Sequence, residues 1–140
     1  MIERIFLYGT LLPDHAPAEI ADIAQRLRPV GRAFVRGRLY DLGEYPGAIL
    51  DPSSDTMIVG KVFELPDDRG MPAKLDWYEG FDPSEPDGSL FVRMKSSVTL
   101  DEGGELQCWI YVYNREPGEA PLMADGKYSQ WKESEGVNTP

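Results

Sequence analysis

Histidine and cysteine are nearly absent from this chain of 140 residues, since each occurs only once, as His15 and Cys108. A serine or cysteine nucleophile usually works with a histidine base, and His15 stands in a proline-flanked stretch without a partner motif. A single cysteine can form neither an internal disulfide nor a metal cage of thiolates. A histidine-activated nucleophile and a thiolate-bound metal are therefore not expected.

Phosphate loops, metal-binding spacings and long apolar runs are missing as well. Gly9-Thr10 is followed by neither the further glycines nor the lysine of a phosphate loop. No spacing of acidic residues indicates a carboxylate metal site. No apolar run approaches the roughly 20 residues of a membrane span, and no secretory signal is present. The sequence predicts a cytoplasmic protein without metal or cofactor.

Positive charge is scarce: the chain has 14 lysines and arginines but 24 acidic residues, which gives a net charge of −10. Such a chain is a poor partner for nucleic acid and for anionic membranes. Arg32, Arg36 and Arg38 form a local exception on one predicted strand. They form either a solvated strand face or a site for an anion.

Glycine and proline, with 14 and 12 residues, are abundant and favour many short elements joined by turns. The predicted class is α+β, with one domain over residues 1–134 and a mobile tail over 135–140. Apolar patterns predict strands at 2–8, 30–42, 48–50, 57–65, 89–100 and 105–114, and helices from Pro17 to before Pro29 and over 73–78. Hairpins are expected at 48–65 and 89–114. Short strands broken by glycine are compatible with a small barrel.

The first apolar run, which begins at Ile5, stops abruptly at Gly9-Thr10 and then meets Pro13. This pattern is typical of a buried strand that ends in a turn. Glycine lets the backbone approach a small molecule and directs free N–H groups toward it. We therefore expect the turn to hold a small ligand that bears a carboxylate.

The last predicted strand has an aliphatic face and an aromatic face, the latter formed by Trp109, Tyr111 and Tyr113. The aromatic face either packs under a loop or forms the wall of a pocket. Packing is the preferred interpretation for Trp109. Tyr113, near the end of the strand, is retained as a candidate substrate-binding residue.

Glu79 differs from the other acidic residues, because it follows Trp77-Tyr78 and precedes Gly80-Phe81. A carboxylate among aromatic side chains is partly desolvated, which raises its pKa toward the range that is useful for proton transfer. The alternative is an ordinary solvated glutamate at a helix end. Asp76, one turn earlier, is expected to cap the helix or brace a loop.

Several short segments, in this order, resemble successive landmarks of the gamma-glutamylcyclotransferase-like superfamily. They are Tyr8-Gly9-Thr10-Leu11, Asp41-Leu42-Gly43-Glu44-Tyr45-Pro46, Val59-Gly60-Lys61-Val62-Phe63, Leu75-Asp76-Trp77-Tyr78-Glu79-Gly80 and Trp109-Ile110-Tyr111-Val112-Tyr113. The resemblance implies a small mixed β-barrel of about six strands flanked by two short helices.

The resemblance also implies roles for individual residues. Tyr8, Gly9, Thr10 and Leu11 would hold a gamma-glutamyl group, and Glu79 would act as general acid and base. Many members of the superfamily carry tyrosine where this chain has Phe91. A possible pocket wall of this chain therefore lacks the tyrosine hydroxyl.

The implied reaction needs no nucleophile from the protein. The alpha-amine of a gamma-glutamyl amide attacks its own gamma-carbonyl, and 5-oxoproline and an amine or amino acid are released. The alternative function is a non-catalytic module that binds a small gamma-glutamyl or other carboxylate ligand. The sequence leaves open the identity of the departing amine, the oligomeric state and the role of Arg36 and Arg38.

Overall fold

The computed structural model describes residues 3–8, 25–43, 46–67, 70–123 and 126. These residues form six strands, one α-helix and a short 3-10 helix. They are β1 (Arg4–Leu7), β2 (Arg28–Asp41), β3 (Pro46–Leu50), β4 (Met57–Glu64), α1 (Met71–Glu79), the 3-10 helix Pro86–Gly88, β5 (Phe91–Leu100) and β6 (Glu105–Tyr113). The predicted α+β class is confirmed.

The helix predicted to begin at Pro17 lies mostly outside the described residues. For the last residues of this helix the prediction is wrong, because residues 25 and 26 form a turn and Arg28 begins β2. Arg28 is paired with Glu64 of β4, so the sheet ladder overrides the helical pattern there.

Five of the strands close into a barrel. Around the ring, β1 is antiparallel to β4, β4 to β2, β2 to β5 and β5 to β6, while β6 returns to β1 in parallel. The ring closes between β2 and β5 through only two residue pairs, Ala33 with Leu100 and Phe34 with Thr99. Strand β3 is an additional strand on β2. The predicted small mixed barrel is therefore confirmed.

The predicted hairpin over residues 48–65 is wrong. The long strand β2 binds both partners, with its first part against β4 and residues 37–41 against β3. Because β3 and β4 are each antiparallel to β2, they run parallel to one another and cannot form a hairpin. The junction is tight at Gly37, where a Cβ atom would lie 2.4 Å from the Ile49 carbonyl oxygen.

The last two strands form the predicted hairpin. Strands β5 and β6 are antiparallel in a register that pairs Thr99 with Glu105 and Arg93 with Tyr111. Gly103 and Gly104 in the turn have φ angles of 103° and 92°, which glycine adopts readily.

The core lies inside the barrel and around β1. Ile5, Phe6 and Leu7 are all buried, so both faces of β1 are covered, as its continuous apolar run indicates. In β6 the side chains of Cys108 and Ile110 are fully buried. The central strand therefore delivers Tyr8, the residue after β1, into the interior of the protein.

Candidate active site

The end of helix α1 fixes the position of Glu79. Gly80 has a left-handed φ of 76°, its N–H donates to the Trp77 carbonyl at 3.3 Å, and the Phe81 N–H donates to the Asp76 carbonyl at 2.9 Å. This pair of bonds is a Schellman motif, which glycine favours. The predicted helix end at Gly80 is confirmed, and Glu79 is the last helical residue.

The carboxyl group of Glu79 lies in a desolvated position. Glu79 is half-buried as a whole residue, but protein surrounds its carboxyl group, and this burial raises the pKa of Glu79 to about 8. Within the described ranges, its carboxylate forms no hydrogen bond or ion pair. Of the two interpretations of Glu79, the structure supports the desolvated carboxyl and not the solvated one.

Tyr8 lies within electrostatic range of Glu79 although the two residues are 71 positions apart in the chain. Tyr8 is buried, and its hydroxyl donates a 2.5 Å hydrogen bond to the Tyr111 carbonyl. Burial raises the pKa of Tyr8, and the nearby Glu79 charge raises it further. The structure thus brings together two of the residues that the sequence singled out. Gly9, Thr10 and Leu11, the rest of the predicted turn, lie outside the described residues.

Asp76 is not the helix cap or loop brace that was expected. It is only 4% exposed, and its Oδ1 accepts a 2.7 Å hydrogen bond from the Tyr111 hydroxyl. Its Oδ2 accepts a 3.2 Å hydrogen bond from Arg93 Nη2, and Arg93 Nε lies 2.9 Å from Oδ1. Asp76 therefore ties α1 to strands β5 and β6. The physical reason is burial, since a carboxylate inside a protein needs a charged or hydrogen-bonded partner.

Tyr111 and Arg93 are the residues of this cluster that sequence reasoning did not select. Burial raises the pKa of Tyr111, as do the Asp76 hydrogen bond and the charges of Asp76 and Glu79, while Arg93 lowers it. The Tyr111 hydroxyl is therefore hydrogen-bonded to Asp76 and lies within electrostatic range of Glu79 and Arg93. The observed hairpin register sets Arg93 opposite Tyr111.

Tyr113 and Trp109, also on β6, have different surroundings. Tyr113 is half-buried, its ring centre is 5.5 Å from that of Phe91, and a Cβ atom at Gly47 would lie 3.1 Å from its own Cβ. Its role in substrate binding stays a prediction. Trp109 donates a 2.6 Å hydrogen bond to Glu3. Two cations lie over its ring, Arg93 at 4.6 Å and Lys95 at 4.8 Å, so it is a packing residue.

The three arginines of β2 that the sequence singled out, Arg32, Arg36 and Arg38, do not converge on an anion site. Each has a partner of its own: Arg32 Nε lies 3.7 Å from Asp101 Oδ2, Arg36 Nη1 donates to the Ser54 carbonyl at 3.0 Å, and Arg38 Nη1 donates to Asp51 Oδ2 at 2.7 Å. The interpretation as a solvated strand face is the one that the structure supports.

Comparison with known proteins decides the family. The family model for "Gamma-glutamyl cyclotransferase, AIG2-like" proteins matches residues 5–131 of this chain. The chain belongs to this gamma-glutamyl cyclotransferase family. A curated member from Niallia circulans, gamma-L-glutamyl-butirosin B gamma-glutamyl cyclotransferase, is 27% identical over 134 residues, which cover 93% of this chain and 76% of that protein.

Solved structures of similar fold agree with the family assignment. A mouse AIG2-like protein has a TM-score of 0.69 at 22% identity, with 91% of this chain and 88% of that chain covered. YkqA from Bacillus subtilis also has a TM-score of 0.69, at 21% identity, and this chain spans 44% of that longer chain. At these identities the similarity shows the fold of the gamma-glutamyl cyclotransferase family.

The described residues contain no group of three or more histidine, cysteine or acidic side chains that could hold a metal ion. None of the helices in that part of the chain is long and apolar enough to cross a membrane.

Proposed function

We propose that this protein is a gamma-glutamyl cyclotransferase that converts a gamma-glutamyl amide into 5-oxoproline and a free amine or amino acid. The observation that carries the proposal is the desolvated carboxyl group of Glu79, whose charge acts on the buried hydroxyl of Tyr8, the residue after β1. Family membership supports the same class of reaction.

In this mechanism the nucleophile belongs to the substrate. The alpha-amine forms a bond to the gamma-carbonyl carbon, and the bond from that carbon to the departing nitrogen breaks. The attacking ammonium nitrogen loses two protons as it becomes the ring N–H of 5-oxoproline. Glu79 accepts them one after the other and passes them to the departing nitrogen, which leaves as an ammonium group, so the overall reaction releases no net proton. The protein otherwise holds the substrate in a folded conformation, which supplies much of the rate acceleration in such intramolecular reactions.

The raised pKa of Glu79 suits both proton transfers. A carboxyl group with the ordinary pKa of 4.5 would take a proton from an ammonium group poorly, whereas a pKa of about 8 makes Glu79 a stronger base. The same group, once protonated, is still acidic enough to protonate a departing amine. Because burial causes the shift, the enclosed position of the carboxyl group is part of the mechanism.

The proposed substrate contacts come from the turn after β1. Gly9, Thr10 and Leu11 would bind the alpha-carboxylate through backbone N–H groups, and Tyr8 would border the glutamyl group, with Tyr113 as a further candidate contact. A glycine-containing turn is a suitable anion site because its N–H groups can converge on one carboxylate.

The test is a screen of gamma-glutamyl amides with purified protein, with 5-oxoproline release as the readout. Glu79→Gln keeps the side-chain shape but cannot accept the proton, so kcat should fall by about 10² to 10⁴-fold. Glu85→Gln, which changes an exposed acid in the following loop, is the matched control and should leave kcat unchanged.

Two results would count against the proposal. Equal turnover by the Glu79→Gln variant would show that another group transfers the proton. Thermal stabilisation of the wild-type protein by 5-oxoproline, without turnover of any gamma-glutamyl amide, would indicate a non-catalytic binding module.

A further inference from the structure

Tyr111 of β6 is hydrogen-bonded to both halves of the candidate site, through two different parts of the residue. Its backbone carbonyl accepts the 2.5 Å hydrogen bond from the Tyr8 hydroxyl, and its own hydroxyl donates the 2.7 Å hydrogen bond to Asp76 Oδ1. Tyr8 precedes the predicted turn after β1, and Asp76 belongs to helix α1, which ends at Glu79. Tyr111 thus connects the end of β1 with the helix that carries the proposed acid and base.

Both hydrogen bonds lie in the interior of the protein, where Tyr8, Asp76 and Tyr111 are all buried. When a buried hydrogen bond loses one partner, the other partner is left without water to replace it, and the loss is larger than at the surface. The two bonds of Tyr111 therefore resist a displacement of either β1 or α1 relative to β6.

The position of Asp76 determines that of Glu79, because both residues belong to the last part of α1. An α-helix has about 3.6 residues per turn, so side chains three positions apart lie on the same face. The end of the helix is fixed as well, since the Asp76 carbonyl accepts the 2.9 Å hydrogen bond from the Phe81 N–H. A shift of Asp76 therefore moves the Glu79 carboxyl group with it.

Arg93 is a second partner of Asp76 and has a different task. Its Nε lies 2.9 Å from Asp76 Oδ1, its Nη2 donates to Oδ2 at 3.2 Å, and its guanidinium lies 4.6 Å from the centre of the Trp109 ring. These contacts supply the opposite charge that a buried carboxylate needs, and they hold α1 against the β5–β6 hairpin. The connection to the end of β1 runs through Tyr111, because Tyr8 donates to its carbonyl.

We propose that Tyr111 is a positioning residue, which sets the distance between the Glu79 carboxyl group and the turn that follows Tyr8 by bonding to both sides. Its catalytic consequence rests on the proposed function. Proton transfer needs Glu79 within hydrogen-bond reach of the reacting nitrogen atoms, and a misplacement of about 1 Å can lower such a rate by about 10²-fold. Tyr111 acts through Asp76 and Tyr8, and its hydroxyl proton is donated to Asp76.

Tyr111→Phe separates the two connections. It removes the hydroxyl and its bond to Asp76 but keeps the ring and the backbone carbonyl that accepts from Tyr8. Because the ion pair between Asp76 and Arg93 remains, we expect the variant to fold. With a gamma-glutamyl amide that the wild-type protein turns over, kcat should fall by about 10-fold to 10²-fold, while KM changes by less than about 3-fold.

Tyr40→Phe is the matched control, because it also removes a tyrosine hydroxyl that forms a hydrogen bond, in this case the 3.1 Å bond from Arg38 Nε on β2. It should leave kcat unchanged. A residue that only stabilises the fold would lower the melting temperature and leave kcat as it was at temperatures where the variant is folded. An unchanged kcat in folded Tyr111→Phe would therefore overturn the proposal.

The displacement of α1 can also be detected without turnover, by a carbon-13 NMR titration of the glutamate carboxyl groups. The Glu79 signal is assigned by its loss in Glu79→Gln. A carboxyl group that has moved toward water should have a pKa that falls from about 8 toward the ordinary value of 4.5. The Glu79 charge acts on Tyr8 and Tyr111, which are both uncharged in this pH range, so the titration reports mainly the desolvation of Glu79.

Asp76→Glu covers the case in which Tyr111→Phe does not fold. It keeps the negative charge and an acceptor for the Tyr111 hydroxyl, but the side chain is longer by one methylene group, so α1 must move if the bond is kept. We expect a lower kcat and a lower pKa of Glu79. Wild-type values of both quantities in this variant would overturn the proposal.

The outcome is distinguishable from a failure of the proposed function. If the wild-type protein turns over no gamma-glutamyl amide, the proposed function fails, and the NMR titration still tests the positioning role. A fall of the Glu79 pKa in Tyr111→Phe, with the wild-type value in Tyr40→Phe, would support it. The same Glu79 pKa in the wild-type protein and in both variants would refute it.

Discussion

Gly60 of β4 lies directly against Leu7 of β1: a Cβ atom at Gly60 would come within 2.3 Å of the Leu7 carbonyl oxygen and 2.8 Å of the Phe6 ring. No side chain larger than hydrogen fits without moving the end of β1. Because Tyr8 follows Leu7, this contact sets the direction in which the chain enters the candidate site.

Replacement of Gly60 by alanine should therefore disturb both stability and the site. We expect a loss of about 2 kcal/mol or more in the free energy of unfolding, since the clash is with backbone. Urea denaturation would measure it. Gly31→Ala is the matched control, because it is also a strand glycine and a Cβ atom there meets nothing within 4 Å. Equal stability of the two variants would contradict the observed packing.

The activity should depend on pH through Glu79. As the base, Glu79 must be deprotonated in the free enzyme, so kcat/KM should rise with pH through the pKa of about 8. A pH profile with a gamma-glutamyl amide that gives measurable turnover would test this. A profile that is already flat between pH 5 and 7 would show that the catalytic carboxyl has an ordinary pKa.

The stability of the fold should also depend on pH, independently of any activity. The folded-state pKa of Glu79, about 8, is above the ordinary value of 4.5, so between these values the folded protein binds the proton more tightly than the unfolded chain. The contribution of protonated Glu79 is complete below about pH 4.5 and is lost as the pH rises toward 8, at up to about 1.4 kcal/mol per pH unit.

Glu79→Gln removes this dependence. The variant and the wild-type protein should be similarly stable near pH 5, and the variant should be more stable near pH 9 by a few kcal/mol at most. Chemical denaturation at the two pH values gives the comparison. A difference that is the same at both would mean that the Glu79 carboxyl group is solvated in the folded protein.

Cys108 should be unreactive in the folded protein. It is fully buried in β6, and burial raises the pKa of its thiol to about 11. At pH 8 the native protein should react with a thiol reagent roughly 100-fold or more slowly than the denatured chain. The release of a coloured thiolate from an aromatic disulfide reagent would give both rates. Rapid labelling of the native protein would indicate that β6 separates readily from its neighbours.

Local patterns predicted much of this fold. The apolar run at Ile5, the glycine at position 80 and the paired glycines at 103 and 104 each determine the structure around them. The helix end that carries Glu79 was therefore predictable. The desolvation of its carboxyl group was predicted from flanking aromatic residues, but one of them, Trp77, is 74% exposed, so that side chain is not its cause.

Non-local contacts account for what the sequence did not reveal. β3 and β4 follow one another along the chain, but they do not pair with each other. Each pairs with a different edge of β2. The contacts of Asp76 with Arg93 and Tyr111 depend on the register of the β5–β6 hairpin, which the sequence did not reveal.

The strands predicted from the sequence leave a four-residue turn at 101–104, which would set Arg93 opposite Val112. The observed pairing of Thr99 with Glu105 sets Arg93 opposite Tyr111 instead. A shift of one position changes which side chain faces the helix.

The parallel pairing of β1 with β6 has a consequence for the order of folding. The hydrogen bond from Tyr8 to Tyr111 joins residues 103 positions apart, and the bond from Tyr111 to Asp76 spans 35. Closing such long loops costs entropy before any contact compensates for it, so folding should be slow for a chain of this size. Because the Glu79 charge acts on both Tyr8 and Tyr111, the site is complete only in a chain in which β1 and β6 both belong to the barrel.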